Sequence, residues 1–337
     1  MTGAAPAPRW RPAMRQALYG PGGFFRTSAP AGHFRTSALA APEFAAALAR
    51  LVALVDRALA YPPVLDLVDV GAGRGELLVR LAATVPPALR ARLRLTAVEL
   101  APRPDGLPAA IAWRPTAPAG VTGLVLATEW LDNVPLDRAG LDRAGTARYE
   151  LVDGTLGAPV STVDRRWLDR WWPLVPGGRA EIGRPRDLAW RRAAGTLRAG
   201  LALAVDYGHL AGARPVQGTL TGYRHGRQVP PVPDGTCDLT AHVAFDPLCP
   251  GTGLVTRQRD ALAGLGVDGT RPALARAHTD PAGYLRALAR AGAGAELRDP
   301  AGLGGHLWLA HPVGTAAAAL CRHLRADRGW HDARHER

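Results

Sequence analysis

Residues 68–77, with the sequence VDVGAGRGEL, decide the expected fold of this chain. A β-branched run leads into a loop with glycine at every second position, and an apolar helical pattern follows. The segment therefore predicts a strand, a ligand-binding loop and a helix. Because Gly71, Gly73 and Gly75 carry no Cβ, the loop amides can approach a bound small molecule closely. A strand-to-helix turn without a ligand, as in any α/β domain, is the alternative interpretation.

The glycine spacing and the nearby acidic residues indicate which cofactor the loop would bind. The pattern G-x-G-x-G has its last glycine one position earlier than the dinucleotide fingerprint G-x-G-x-x-G, which favours S-adenosylmethionine over NAD. Asp69 lies in the strand before the loop, and Glu99 closes the next strand. A carboxylate at Glu99 can accept both ribose hydroxyls of a nucleoside. An acid at a strand end that simply faces water would give the same pattern.

Strand patterns alternate with helical patterns along the chain. Strands are predicted at residues 65–70, 93–99, 111–113, 124–128 and 201–206, with a helix up to residue 83 and another over 187–198 that ends at Gly200. This alternation implies an α/β fold in which helices cover both faces of a mostly parallel sheet. Ligands of such sheets bind beyond the carboxyl ends of the strands, where residues 128–132 and 206–208 would lie.

The sequence divides into four expected regions. Residues 1–13 are rich in proline and alanine and are predicted to be disordered, and residues 14–62 form an N-terminal helical and glycine-loop segment with a helix over 42–59. The α/β domain is expected over 63–313, with substrate-side insertions at about 140–180 and 212–290. A strand pair is predicted over 148–156, a hairpin over 290–313, and a charged helix or tail over 314–337.

The charge of the chain is strongly positive but scattered. All 41 basic residues are arginines, and the formal net charge is +12. Clustered arginines would favour a nucleic-acid partner, but the densest groups, at residues 186–198 and 322–337, are predicted to lie on solvated helix faces. Nucleic acid is therefore not the expected partner.

The cysteines and the hydropathy pattern bear on the compartment. Cys237, Cys249 and Cys321 are too few and too far apart for a disulfide framework or a metal site, which predicts a reducing, cytoplasmic environment and no bound metal. No apolar run approaches the ~20 residues that span a bilayer, so membrane insertion is not expected.

Residues 128–135, TEWLDNVP, predict a site for a cation. Glu129 and Asp132 follow an apolar strand directly, with Trp130 between them. Two carboxylates can bind a guanidinium through paired hydrogen bonds and offset positive charge, and a tryptophan face can contact a cation. Alternatively, the two acids only cap the following helix and the tryptophan packs in the core.

Six sequence segments together resemble the MidA family, the bacterial relatives of a mitochondrial complex I assembly factor that is a protein arginine methyltransferase. The resemblance extends over residues 18–309. The segments are residues 32–36, GHFRT (family G-D-F-x-T); 70–75, VGAGRG (E-x-G-P-G-x-G); 128–135 (N-E-x-x-D-A-L-P); 206–208, DYG; 218–220, GTL, with Tyr223 and His225; and 238–245, DLTAHVAF (D-L-T-A-H-V-D-F).

This resemblance implies a class I, Rossmann-like S-adenosylmethionine-dependent methyltransferase that acts on an arginine of a protein substrate. A homodimer is compatible with the sequence. The resemblance implies Gly71, Gly73 and Glu99 at the cofactor and Glu129, Asp132, Asp206 and Asp238 near the substrate. The further candidates for the cofactor site are Phe34, Thr36, Asp69, Gly75, Thr128 and Glu129, and His242, which lies among polar residues, is a further catalytic candidate.

The chain departs from the family pattern at four quoted positions. His33 stands for aspartate, Ala72 for proline, Thr128 for asparagine and Ala244 for the second aspartate of the last segment. Two other functions therefore stay open at this stage. One is a cofactor-binding assembly protein that transfers no methyl group, and the other is a nucleic-acid methyltransferase.

Overall fold

The computed structural model describes residues 7–27, 41–249, 251, 253–314 and 318–325. The helices are α1 (Trp10–Tyr19), α2 (Phe24–Thr27), α3 (Pro42–Ala58), α4 (Glu76–Thr84), α5 (Pro87–Arg90), α6 (Thr162–Trp171), α7 (Arg184–Ala194), α8 (Gln258–Gly264), α9 (Arg276–Thr279) and α10 (Pro281–Arg298). The strands are β1 (Leu65–Val70), β2 (Leu93–Val98), β3 (Ile111–Arg114), β4 (Val121–Thr128), β5 (Asp137–Leu141), β6 (Ala147–Glu150), β7 (Leu156–Pro159), β8 (Ala180–Ile182), β9 (Leu197–Asp206), β10 (Gly208–His209), β11 (Thr221–Arg224), β12 (Arg227–Val229), β13 (Asp238–Thr240), β14 (Val243–Ala244), β15 (Leu254–Arg257) and β16 (Leu307–Val313).

Seven strands form the central sheet in the order β15-β16-β9-β4-β1-β2-β3. Strand β1 pairs in parallel with β2 and β4, β2 with β3, and β4 with β9. Only β16 and β15 add antiparallel pairs at one side of the sheet. The predicted α/β fold with a mostly parallel sheet is therefore confirmed, and the carboxyl ends of β1, β2, β4 and β9 meet at one edge.

The sheet is buried on both faces. Along β1, Leu65 and Leu67 join one hydrophobic cluster, with α3, α4, α8 and the end of α10. Val68 and Val70 point to the opposite face and join a second cluster, which contains Trp190 of α7. Every residue of β1 is buried, which explains the leucines and valines that point to both faces of this strand.

Smaller antiparallel sheets stand beside the central one. Strands β7, β6, β5 and β8 form a four-stranded sheet against which α6 packs, and β12, β11 and β13 form a three-stranded one. Helix α1 buries Met14 and Leu18 against Leu239 of β13. Among the described residues, no helix combines the length and the apolar character needed to cross a membrane.

Helix α1 begins earlier than the sequence predicts. Residues 10–13 were expected to be disordered, but the helix starts at Trp10, which is buried. The preceding Arg9 forms an ion pair with Asp137 and lies over the ring of Tyr149. These contacts with distant residues hold a proline-rich segment that has little local preference for order.

The predicted helix over 187–198 is also wrong in its bounds. The helix ends at Ala194, and residues 197–200 already belong to β9. Gly200 does not end the helix; it lies opposite Gly123 of β4 with a φ of +128°, where a Cβ would collide with the Gly123 backbone. The glycine is needed for close strand approach, not for a helix end.

The hairpin predicted over 290–313 is absent from these residues. Residues 281–298 form α10, which begins at Pro281 and is capped by Asp280, whose carboxylate accepts the Gly283 N–H at 2.8 Å. Strand β16 follows, but it pairs with β9 and β15, which come much earlier in the chain. Its partners are non-local, so local sequence could not reveal them.

Candidate functional site

A cleft of about 2140 Å³ opens at the carboxyl ends of the parallel strands. The loop after β1, Glu99 after β2, Glu129 after β4 and Tyr207 after β9 all line it. Residues of α1, α7 and the three-stranded sheet form its walls. This is where ligands bind to open parallel sheets, so the fold itself marks the cleft as the candidate site.

The glycine loop after β1 needs glycine for its backbone conformation. Gly71, Gly73 and Gly75 have φ values of +73°, +57° and +81°. A Cβ on Gly71 would lie 2.5 Å from the Trp130 side chain, whereas a Cβ on Gly73 would meet nothing within 4 Å. Gly73 therefore presents bare backbone to open space in the cleft, while Gly75, outside the cleft lining, begins α4.

Glu99 ties the end of β2 to this loop. Its Oε2 accepts the Gly73 N–H at 3.1 Å, and its Oε1 accepts the N–H groups of Leu100 and Ala101 at 2.6 and 3.1 Å. These bonds fix the orientation of the carboxylate. Oε1 already accepts two N–H groups, whereas Oε2 accepts one and keeps a further lone pair, so Glu99 can still accept a hydroxyl group of a ligand through Oε2.

Asp69 lies beneath the loop as a buried carboxyl group. Asp69 is only 1% exposed, and its Oδ1 has no hydrogen-bond partner among the described residues. Burial raises the pKa of Asp69 to about 7, with further contributions from the charges of Glu99 and Glu76. An unpaired buried oxygen that lines a cleft suits a cationic or hydrogen-bonding group of a ligand. The loop, Glu99 and Asp69 therefore fit the adenosyl and amino-acid parts of S-adenosylmethionine.

Glu129 and Asp132 project from the turn after β4. Glu129 has a φ of +49°, which is uncommon for a residue with a side chain, and its N–H donates to the Val205 carbonyl at 2.7 Å. Its Oε1 lies 3.9 Å from Nδ1 of His306. Asp132 is buried and does not cap a helix; its Oδ2 accepts the hydroxyls of Tyr207 and Thr240, the latter at 2.6 Å, while its Oδ1 has no partner in the described part of the chain.

Asp206 and Asp238 support the same turn from two other strands. Asp206 accepts the N–H groups of Leu131 and Asp132 at 3.0 and 3.2 Å and does not line the cleft. Asp238 lines the cleft and accepts the side-chain N–H of Asn133 at 2.7 Å. Burial raises the pKa of each of the two aspartates, and the charge of Asp132 raises both further.

Arg186 of α7 is the buried cation beside these acids. The sequence predicted a solvated helix face here, but the residue is only 2% exposed. Its guanidinium donates to the carbonyls of Asp132, Val134, Ala241 and His242, the last two at 2.9 and 3.0 Å. Arg186 therefore joins the turn after β4 to the segment after β13, through hydrogen bonds to backbone oxygens.

Tyr207 and His306 also line the cleft. Tyr207 belongs to the segment 206–208 that was predicted at the ligand-binding edge, but no role was predicted for it, and His306 was not predicted. The Tyr207 ring lies 5.2 Å from the ring of His242 and 5.6 Å from that of His306. Burial lowers the pKa of His306 to about 4, with a smaller contribution from His242, so the imidazole is neutral at pH 7. The quoted DYG segment contains Tyr207 and could have indicated it, but no local pattern marks His306.

The structure brings most of the predicted site residues together. Asp69, Gly71, Gly73, Glu99, Thr128, Glu129, Asp132, Asp238 and His242 line the cleft. Phe34 and Thr36 lie outside the described residues. The described part of the chain contains no group of three or more histidine, cysteine or acidic side chains placed to hold a metal.

Comparisons with known proteins agree with this geometry. A family model described as "Putative S-adenosyl-L-methionine-dependent methyltransferase" matches residues 47–250. A solved structure from Burkholderia thailandensis, described as a "likely methyl transferase" bound to S-adenosyl-homocysteine, is 23% identical, with a TM-score of 0.72 over 92% of this chain and 89% of that one. A native structure of an uncharacterized protein from the same organism has a TM-score of 0.70 at the same identity and coverage. At this identity the two structures support the fold alone. No curated protein matches the sequence significantly.

Proposed function

The chain belongs to the family of S-adenosyl-L-methionine-dependent methyltransferases, and from this premise we propose that it methylates an arginine side chain of a protein. The family assignment confirms the predicted cofactor. The substrate is our inference, and one observation carries it: Glu129, Asp132 and Asp238 bring three acidic side chains to the cleft that contains the glycine loop.

The cofactor is proposed to lie across the strand ends. Gly73 offers bare backbone, Glu99 accepts a ribose hydroxyl through Oε2, and Asp69 faces the cationic amino-acid end. When bound, S-adenosylmethionine supplies a methyl group activated by its sulfonium. The S-adenosyl-homocysteine in the related Burkholderia thailandensis structure supports a cofactor of this kind in the fold, and the strand order of the sheet supports the class I assignment.

The acidic end of the cleft suits a guanidinium. An arginine side chain stays protonated in proteins and presents a planar fork of donors to carboxylates. Asp132 keeps Oδ1 open for such a donor. Arg186 gives its N–H groups to backbone carbonyls, so the acids are not paired by direct bonds to it. Glu129 and Asp132 would hold the target nitrogen in line with the methyl group, which is the main requirement of this displacement.

The same acids also account for the proton that arginine loses on methylation. A carboxylate of the cleft accepts it, and His242, which is exposed on the cleft wall, passes it to water. Burial raises the pKa of Asp132 despite its hydrogen bonds from Thr240 and Tyr207. A raised pKa brings a carboxyl group closer to the range in which it can take up and release a proton near neutral pH.

The departures from the MidA pattern do not favour an inactive assembly protein. Ala244 is buried in β14, packs with the aromatic cluster beside α6, and does not line the cleft. Ala72 is also buried, and His33 lies outside the described residues. Ala72 and Thr128 both line the cleft. Membership in the MidA family and a link to respiratory complex I stay predictions that rest on the motif resemblance.

The test is methyl transfer to proteins. Purified protein is incubated with methyl-labelled S-adenosylmethionine and a cell extract, followed by protease or nuclease treatment and mass spectrometry. We expect label on arginine that protease releases and nuclease does not, abolished by Glu129→Gln and by Asp132→Asn. Asp169→Asn, at an exposed acid of α6 outside the cleft lining, is the matched control and should transfer label normally. Label on nucleic acid or on another residue type would refute the proposal, as would cofactor binding without transfer.

A further inference from the structure

The mouth of the cleft is basic, whereas its floor, which contains Glu129, Asp132 and Asp238, is acidic. Exposed arginines line it from four separate elements of the chain. They are Arg11 and Arg15 of α1, Arg26 of α2, Arg74 of the glycine loop and Arg192 of α7. The cleft volume of about 2140 Å³ is well above the ~300–1,000 Å³ typical of small-ligand pockets, so there is room for more than a cofactor.

Four of these five arginines have no ion-pair partner among the described residues. Among the described residues, Arg11, Arg15, Arg26 and Arg192 form no ion pair, and Arg74 reaches only to 4.0 Å from Glu76. Some arginines away from the cleft are paired with aspartates, as in Arg92–Asp56, Arg94–Asp66 and Arg148–Asp142, and others, such as Arg286 and Arg290, are exposed singly on helix α10. The positive charge at the mouth is thus not compensated within the described part of the chain.

Helix α1 connects the mouth to the floor. Its buried face contains Met14 and Leu18, whereas Arg11 and Arg15 are exposed on another face of the helix. Arg11, Arg15 and Tyr19 follow one another at intervals of four residues and all line the cleft. Tyr19 reaches the acidic turn, because its hydroxyl donates to the Asn133 carbonyl at 3.3 Å. One helix face therefore leads from two free cations to the acidic end of the site.

We infer that the cleft selects a protein segment in which the target arginine is flanked by acidic residues. This inference rests on the proposed function for the arginine itself; the mouth then supplies the cations that bind flanking aspartate or glutamate side chains. A nucleic acid would bring phosphates toward Glu129, Asp132 and Asp238, where like charges repel, so a protein partner fits both ends of the cleft better.

The first test is binding, which does not depend on methyl transfer. Fluorescence anisotropy compares two labelled short peptides with one central arginine, flanked by glutamates in one and by glutamines in the other, in the presence of S-adenosyl-homocysteine. We expect the glutamate peptide to bind more tightly than the glutamine peptide. The difference between the two affinities should decrease as the salt concentration increases. R11Q/R15Q should reduce the ratio of the two peptide affinities about three- to tenfold, because exposed ion pairs contribute modestly to binding.

The matched control is R286Q/R290Q, which removes the same charge at the same spacing from the exposed face of α10, away from the cleft lining. It should keep the preference for the glutamate peptide. Equal affinities for the two peptides would overturn the inference, and so would an unchanged preference in R11Q/R15Q. A single-stranded RNA that displaces the glutamate peptide at lower concentration would also overturn it, in favour of a nucleic-acid partner.

Methyl transfer to the two peptides separates this inference from the proposed function. Preferential binding of the glutamate peptide without transfer to either peptide would support the acidic partner and refute arginine methylation. Equal rates of transfer to both peptides, at concentrations below saturation, would support arginine methylation and refute the preference for acidic flanks. Faster transfer to the glutamate peptide would support both.

Discussion

Replacing Arg186 with methionine tests whether one buried guanidinium holds the candidate site together. Arg186 donates to the carbonyls of Asp132, Val134, Ala241 and His242, which belong to two segments more than one hundred positions apart in the chain. Methionine has a similar length and flexibility but no donor. The substitution therefore removes these hydrogen bonds and the buried charge together.

The cost follows from which carbonyls can reach water. The hydrogen bonds to Asp132 and Ala241 are fully buried, whereas those to Val134 and His242 are partly exposed. A buried polar group without a partner costs about 1–3 kcal/mol. Removing the buried cation also relieves its own desolvation, which offsets part of the loss. We expect a net decrease of about 3–5 kcal/mol in the free energy of unfolding, a large share of the ~5–15 kcal/mol typical of proteins.

The assay is urea unfolding followed by circular dichroism. Arg192→Met, on the same helix but exposed and without an ion pair among the described residues, is the control and should stay within ~0.5 kcal/mol of the unchanged protein. Arg186→Lys should give an intermediate loss, because an ammonium keeps the charge but not the planar fork. A loss below about 1 kcal/mol for Arg186→Met would refute the argument that these contacts hold the two segments together.

Three further predictions concern ligands of the cleft. Glu99→Ala should weaken S-adenosylmethionine binding by about tenfold or more in calorimetry, because the ribose loses its acceptor and Gly73 loses its tether; unchanged binding would contradict the cofactor placement. The pKa of Asp69 is raised to about 7, so the carboxylate forms as pH rises through 7 and binding of the cationic cofactor should tighten there. Because the pKa is about 7 in the folded protein and 3.8 in the unfolded chain, the free energy of unfolding should fall as pH rises from about 3.8 to about 7. Asp69→Asn should flatten the pH dependence of both cofactor binding and the free energy of unfolding in titrations from pH 4 to 9. Tyr207→Phe should raise KM for the protein substrate about fivefold with little change in cofactor affinity, because it removes a donor to Asp132; an effect confined to the cofactor would contradict this.

The central strands could be predicted because their signal is local. Residues 65–70, LDLVDV, are rich in leucine and valine and end before a glycine, and β1 has those bounds in the structure. Helix α3, predicted over 42–59, is observed at Pro42–Ala58 for the same reason, since its apolar spacing and its first proline are local signals. Burial on both faces makes such patterns strong, and so the mostly parallel sheet followed from the sequence.

Glycines were less informative, because the same residue serves different purposes. Gly200 resembles a helix end in the sequence but occupies a strand beside Gly123. Gly71 and Gly73 both take positive φ, yet only a Cβ on Gly71 would strike another side chain, that of Trp130. From the sequence alone we can infer that a glycine has conformational freedom. Which residue lies against it in the fold depends on strand pairing and on the turn after β4.

The acidic residues of the site were found from the sequence, but their separate roles were not. Asp132 and Asp238 line the cleft, whereas Asp206 lies beneath the turn and accepts backbone N–H groups. All three are acidic residues near the ends of strands, and the sequence does not distinguish between them. Which of them faces a ligand depends on the 3-10 turn at Leu131–Asn133, whose position is fixed by contacts across the fold.

That turn is held from both sides before any ligand binds. Asp206 accepts its N–H groups, and Arg186 donates to its carbonyl oxygens at Asp132 and Val134. A buried carboxyl group and a buried guanidinium therefore hold neighbouring peptide groups of the same turn, while Glu129 just before the turn is held in a left-handed conformation. Side chains on such a turn need little reorganisation when a charged substrate arrives, which is the condition for strong electrostatic stabilisation in a site. Asp206 is then a positioning residue for Asp132, and Asp206→Asn should raise KM for the protein substrate while the cofactor still binds.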